Sequence, residues 1–108
     1  MFSIYAIIDK ITNRAYVGMT SRSPNKRFAE HCGNRNTFIS SQIRSLGKQN
    51  FILKVLAQTE SLSSALDIEL HKIIKNNTLA PKGFNIQCRG KSKYHFFAER
   101  AGQLDLWS

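Results

Sequence analysis

Glu69 is the residue in this 108-residue chain whose position most needs a chemical reason. Turning about 100° per residue from Leu62 places Leu62, Ala65, Leu66, Leu70 and Ile73 on one helical stripe. Glu69 lands in the middle of that stripe, between Leu66 and Ile73, whereas Asp67, His71 and Lys72 lie away from its centre. A carboxylate on a core-facing stripe is costly unless it is paired or binds a cation. Two roles satisfy that condition: a structural ion pair with a nearby arginine, or a metal ligand at the edge of a cleft. A hard cation such as Mg²⁺ takes one or two carboxylates and completes its shell with water and phosphate oxygens, so one glutamate suffices for the second role.

Arg27 and His31 are spaced i, i+4 and share one face of a helix. Arginine offers a rigid fork of donors that matches a phosphate, and histidine can relay a proton near neutral pH. Taken alone, such a pair is more often a solvated face. Tyr5 and Tyr16 read first as strand packing residues. Gly18 is less expected in a strand, where glycine often marks close approach of a ligand or another backbone. Beside two tyrosine hydroxyls it would leave space for a phosphate.

The elements that must position these groups follow from local pattern. Ser3 to Asp9 reads as a strand, Ile11 to Arg14 as a turn, and Ala15 to Thr20 as the second strand of a hairpin. An odd sum of paired residue numbers puts Tyr5, Tyr16 and Gly18 on one face; an even sum splits the tyrosines. Ser23-Pro24 signals a helix start, with the helix running to about Cys32 and stopped by Gly33-Asn34. Thr37 to Leu46 is a second helix ended by Gly47, Asn50 to Gln58 a third strand, and Ser61 to about Asn76 the longest helix. Phe84-Asn85-Ile86 reads as a brief extended segment. This order predicts an α+β fold: a small, mostly antiparallel sheet with helices packed on it. Residues 1–88 form one domain, and residues 89–108 a basic and aromatic tail that packs on the domain or grips a partner.

Lysine and arginine number 16 against 7 acidic residues, a net charge of +9 that points to a polyanionic partner, most commonly a phosphate backbone. No stretch approaches the ~18 apolar residues of a spanning helix, and no signal peptide is evident, so no membrane partner is expected. Cys32 and Cys88 are not in metal spacing and read as two reduced thiols in a cytoplasmic protein.

Ser-Ile-Tyr at 3–5 and Tyr-Val-Gly at 16–18 resemble the paired motif of the GIY-YIG endonucleases. The resemblance extends through Thr20, Arg27-Phe28-Ala29-Glu30-His31, Glu69 late on a long helix, and Asn85, covering roughly residues 2–87. The family's first glycine is Ser3 here and the isoleucine of its second motif is Val17. Neither change removes a catalytic group of the family. The resemblance implies a three-stranded antiparallel sheet flanked by helices, and a metal-dependent nuclease that hydrolyses phosphodiester bonds. It assigns Glu69 to Mg²⁺ or Mn²⁺, Arg27 to the charge on phosphorus, Tyr5 to the water, Tyr16 to water or phosphate, and Asn85 to orienting hydrogen bonds. Free tyrosine ionises near pH ~10, so Tyr5 needs bias or relay from Lys26, Arg27 or His31.

The basic residues expected near the site are Arg22, Lys26 and Arg35, which flank the Arg27 helix. Lys91 and Lys93 adjoin Tyr94, Phe96 and Phe97, a combination that can grip a backbone and stack on bases. DNA is the expected substrate, with RNA and structured nucleic acid as alternatives, and a non-catalytic basic binding module as the competitor from another class. The sequence offers no separate recognition module, so selectivity is expected to come from a homodimer, a partner or a DNA structure.

Overall fold

The computed structural model describes residues 1–33 and 35–85. The expectations for Ile86, Cys88, Lys91, Lys93 and the 89–108 tail lie outside the described residues. Strands β1 (Phe2–Asp9), β2 (Ala15–Thr20) and β3 (Phe51–Thr59) form one antiparallel sheet in the order β2-β1-β3. Helices α1 (Pro24–Cys32) and α2 (Phe38–Leu46) lie between β2 and β3 in the chain, and α3 (Leu62–Lys75) follows β3. Among the described residues no helix is long and apolar enough to cross a membrane.

The central place of β1 explains why its sequence is apolar on both faces rather than alternating. Ile7 and Tyr5 join Ile39, Ile43, Phe51 and Phe84 in one core cluster, on the side of α1 and α2. Ile4 joins Val17, Met19, Ala65 and Ile73 in a second cluster, on the side of α3. The sheet is thus covered on both faces.

The turn between β1 and β2 is built by Asp9, whose carboxylate accepts from the Ile11 N–H at 2.9 Å and the Thr12 hydroxyl at 2.7 Å. Asn13 then takes the left-handed conformation asparagine tolerates, with φ 65°. Hydroxyl caps start the two later helices: Thr37 accepts from Ser40 N–H, and Ser61 from Ser64 N–H. The first helix begins at Ser23 without such a side-chain bond and relies on proline at its first turn.

The outer edge of β2 does not stand open. Phe84 N–H donates to Ala15 O at 2.9 Å. The Asn85 amide then brackets Val17: Oδ1 accepts from Val17 N–H at 2.8 Å and Nδ2 donates to Val17 O at 3.0 Å. Thr78 completes the group by donating its hydroxyl to Asn85 Oδ1 at 2.7 Å. Side chains thereby replace a ladder partner at an edge strand. The loop from Thr78 to Asn85 requires Gly83, where an added Cβ would collide with the Thr78 backbone.

Leu62 departs from the expected apolar stripe: it is 51% exposed, whereas Ala65, Glu69, Leu70 and Ile73 are buried. It is the first residue of α3 and lines an open cleft with Phe2, Met19 and Thr20.

Ile73 sits 1% exposed against the β1 and β2 face of the second cluster. Its truncation in Ile73→Ala is expected to cost about 2–5 kcal/mol. Urea unfolding checks this: the midpoint falls with the slope unchanged.

Candidate active site

Tyr5 stands opposite Gly18 in the β1–β2 ladder, an odd pairing sum that puts Tyr5, Gly18 and Tyr16 on one face. The glycine makes room for the tyrosines themselves. A Cβ at Gly18 would lie 2.5 Å from the Tyr5 hydroxyl and 2.8 Å from the Tyr16 ring. The space expected to receive a phosphate is therefore filled by the Tyr5 phenol, which lies across β2.

Helix α1 supplies the other half. His31 is 2% exposed, and its Nε2 lies 2.9 Å from the Tyr5 hydroxyl. The Tyr16 ring meets the His31 ring edge-on, with centroids 5.2 Å apart, and the Tyr5 ring centroid is 6.3 Å from that of Tyr16. Because Arg27 precedes His31 by one turn, it faces the same tyrosines, and their charges couple to its own. Tyr16, Arg27, His31, Thr37 and Phe38 line part of an open cleft of about 370 Å³.

Electrostatics divides the hydrogen-bonded pair into a weak acid and a weak base. Burial, followed by the neighbouring Tyr16, pushes the Tyr5 hydroxyl well above its ordinary range; Arg27 pulls it back and Glu69 opposes ionisation further. Burial, reinforced by the charges of Arg27 and Arg35, lowers His31 to about 4. At neutral pH the pair is a phenol and a neutral imidazole. His31 Nδ1 is buried and has no hydrogen-bond partner among the described residues. The Nε2–hydroxyl bond persists in either tautomer, with the phenol donating to a bare Nε2 or Nε2–H donating to the phenol oxygen.

Glu69 is buried, as its place on the apolar stripe implied, and its charge reaches Tyr5 from α3. Among the described residues there is no group of three or more His, Cys, Asp and Glu side chains fit to hold a metal. A hard cation can be anchored by a single carboxylate, with water and phosphate oxygens filling the rest of its shell.

The structure brings Arg22 and Arg35 to the Arg27 side of the site, whereas Lys26 is an exposed residue of α1. Arg44 is spent on the fold, donating to the carbonyls of Gly33 and Arg35 at 2.9 and 3.0 Å. Two residues escaped sequence reasoning. Glu30 gathers the arginines, a role its i, i+3 spacing from Arg27 hinted at. Thr78 orients Asn85, and no sequence signal marks it.

The depressed His31 value has a measurable consequence. Between about 4 and the ordinary 6.5, the unfolded chain binds more protons than the folded protein at this residue. Its contribution to stability is full above 6.5 and is lost as the pH falls towards 4. The thermal midpoint should fall across that window in the wild type and less steeply in His31→Gln. Parallel curves would mean that His31 titrates normally.

The GIY-YIG catalytic domain family matches residues 1–85. No curated protein sequence matches the chain significantly. Among solved structures, the catalytic domain of intron endonuclease I-TevI, in a form with one glutamate replaced by alanine, superposes with a TM-score of 0.61. The match covers 82% of this chain and 96% of that one at 20% identity, a level that speaks to the fold. With the family's domain spanning most of its length, the chain belongs to the GIY-YIG family and is a GIY-YIG-type endonuclease.

Proposed function

We propose that this endonuclease hydrolyses DNA with a divalent metal ion, Mg²⁺ or Mn²⁺, anchored by Glu69. The observation that carries the reading is the 2.9 Å contact between the Tyr5 hydroxyl and His31 Nε2 beside Arg27. A neutral phenol hydrogen-bonded to a neutral imidazole is a proton path that needs no free charge at rest. The net charge of +9 supports a nucleic-acid backbone as substrate.

In this reading a scissile phosphate enters the cleft beside Tyr16 and Arg27. Arg27 neutralises the charge that grows on the phosphorus oxygens. Tyr5 passes its proton to His31 Nε2 and takes one from the attacking water. Tyr16 orients water or phosphate at the cleft wall. Asn85 holds β2 at Val17, next to Gly18, and so fixes the strand that carries Tyr16. When bound, the metal supplies a Lewis acid for the phosphate and the leaving 3′ oxygen. Reading Cys32 and Cys88 as reduced thiols, we infer a cytoplasmic site of action. Cutting both strands with one such site requires a homodimer, a partner or two successive events.

Supercoiled plasmid and labelled single-stranded RNA, each with Mg²⁺, Mn²⁺ or EDTA, test the proposal. The wild type should nick or linearise plasmid only with metal, and Glu69→Ala should do neither. Arg27→Ala should lower kcat about 10²–10³-fold, and Tyr5→Phe about 10²–10⁴-fold. Cleavage of RNA alone would change the substrate, and cleavage in EDTA would remove the metal.

A further inference from the structure

Three guanidiniums converge on one carboxylate oxygen. Glu30 Oε1 lies 2.8 Å from Arg27 Nη1, 2.9 Å from Arg22 Nη2 and 3.6 Å from Arg35 Nη1. Arg22 precedes α1, Arg27 lies within it and Arg35 follows it, so the carboxylate ties both flanks of the helix to its middle. Without an anion between them, three such cations at this range would repel one another and splay. Arg27 hydrogen bonding, then the charge of Arg22, holds the Glu30 carboxyl below the usual carboxylate range, so it is ionised at working pH.

The exposures differ in a telling way. The Arg27 side chain is 21% exposed, against 54% for Arg22 and 45% for Arg35. Arg27 is turned inward, and its charge acts on Tyr5 and Tyr16. The outer two keep guanidinium N–H donors facing solvent, because a guanidinium has five and Glu30 takes only part of them. One acid against three bases leaves a surplus of two positive charges beside the cleft. Each exposed pair contributes little to stability by itself, so the cluster has its value in placement.

We propose that Glu30 is a positioning residue: through one oxygen, shared with Arg22 and Arg35 at its flanks, it fixes Arg27 beside the tyrosine pair. This rests on the phosphodiesterase reading above. Glu30 touches no reacting atom; it holds the group that does. It also opposes substrate, since it is an anion in the path of an anion. Removing it should therefore harm turnover while leaving binding intact or improving it. A residue needed only for folding cannot produce that split.

The test compares wild type, Glu30→Ala and Glu30→Gln in plasmid-cleavage kinetics and in duplex DNA binding followed by fluorescence anisotropy. Glu30→Ala should lose kcat by about 10–100-fold, the effect of a small misplacement of Arg27, with Kd unchanged or lower. Glu30→Gln retains an oxygen acceptor in the same place and should recover part of kcat. The Arg27 Nε–Hε signal, read by ¹⁵N NMR without DNA, should be ordered in the wild type and motionally averaged in Glu30→Ala. That readout needs no turnover, so it decides the role of Glu30 even if the wild type cleaves neither plasmid nor RNA, which would instead sink the phosphodiesterase reading. Retention of kcat within about twofold in Glu30→Ala, an Arg27 signal unchanged by the substitution, or parallel loss of kcat and DNA binding would each overturn the proposal.

Discussion

Tyr5 reaches His31 because the residue opposite it on β2 has no side chain. Any Cβ at Gly18 would occupy the place of the phenol, so the central strand can send its tyrosine sideways across its neighbour only at this pairing. The rest of the site follows from that geometry. Tyr16, two residues from Gly18 on the same face, closes over the phenol, and α1 delivers His31 to its hydroxyl. The register that makes this possible is secured from outside the sheet. Asn85 brackets the backbone of Val17 and is itself held by Thr78, so a slip of β2 would break hydrogen bonds that are fully buried.

Burial then sets the chemistry. Packing alone would leave Tyr5 and His31 as an inert phenol and imidazole, since desolvation raises the one and lowers the other. Arg27 offsets burial at Tyr5, whose ionised form its charge favours, and adds to burial at His31, whose protonated form it disfavours. Glu69 works in the opposite sense on Tyr5. A cation held by Glu69 would remove that opposition.

Much of this was readable from residue order. Runs of β-branched and aromatic residues, hydroxyl caps and glycine stops placed the helices and strands to within a residue or two, because those signals act locally. The burial of Glu69 was readable for the same reason, since a helical stripe fixes which way a side chain points. The hairpin register was not, because either parity of pairing satisfies the pattern of β2. Gly18 was legible as a place of close approach, yet not as to what approaches, since Tyr5 arrives from another strand. Leu62 fits the stripe by angle yet is exposed at the first position of α3, an end effect that periodicity does not register. The arginine cluster and the Thr78–Asn85 pair depend on tertiary contacts, which spacing alone does not encode.

The dependence of the site on the bare position at Gly18 is tested most directly by the single-turnover plasmid-cleavage rate of Gly18→Ala, taken on protein whose circular dichroism matches the wild type. One methyl group there adds nothing to the charge and removes no functional group, and overpacking of this kind costs about 1–3 kcal/mol of stability. Gly18→Ala should fold, bind DNA normally and cleave about 10²-fold more slowly, because the phenol has been moved off His31. Cleavage at the wild-type rate by folded Gly18→Ala would contradict that dependence, and would mean that the contact between Tyr5 and His31 is packing and nothing more.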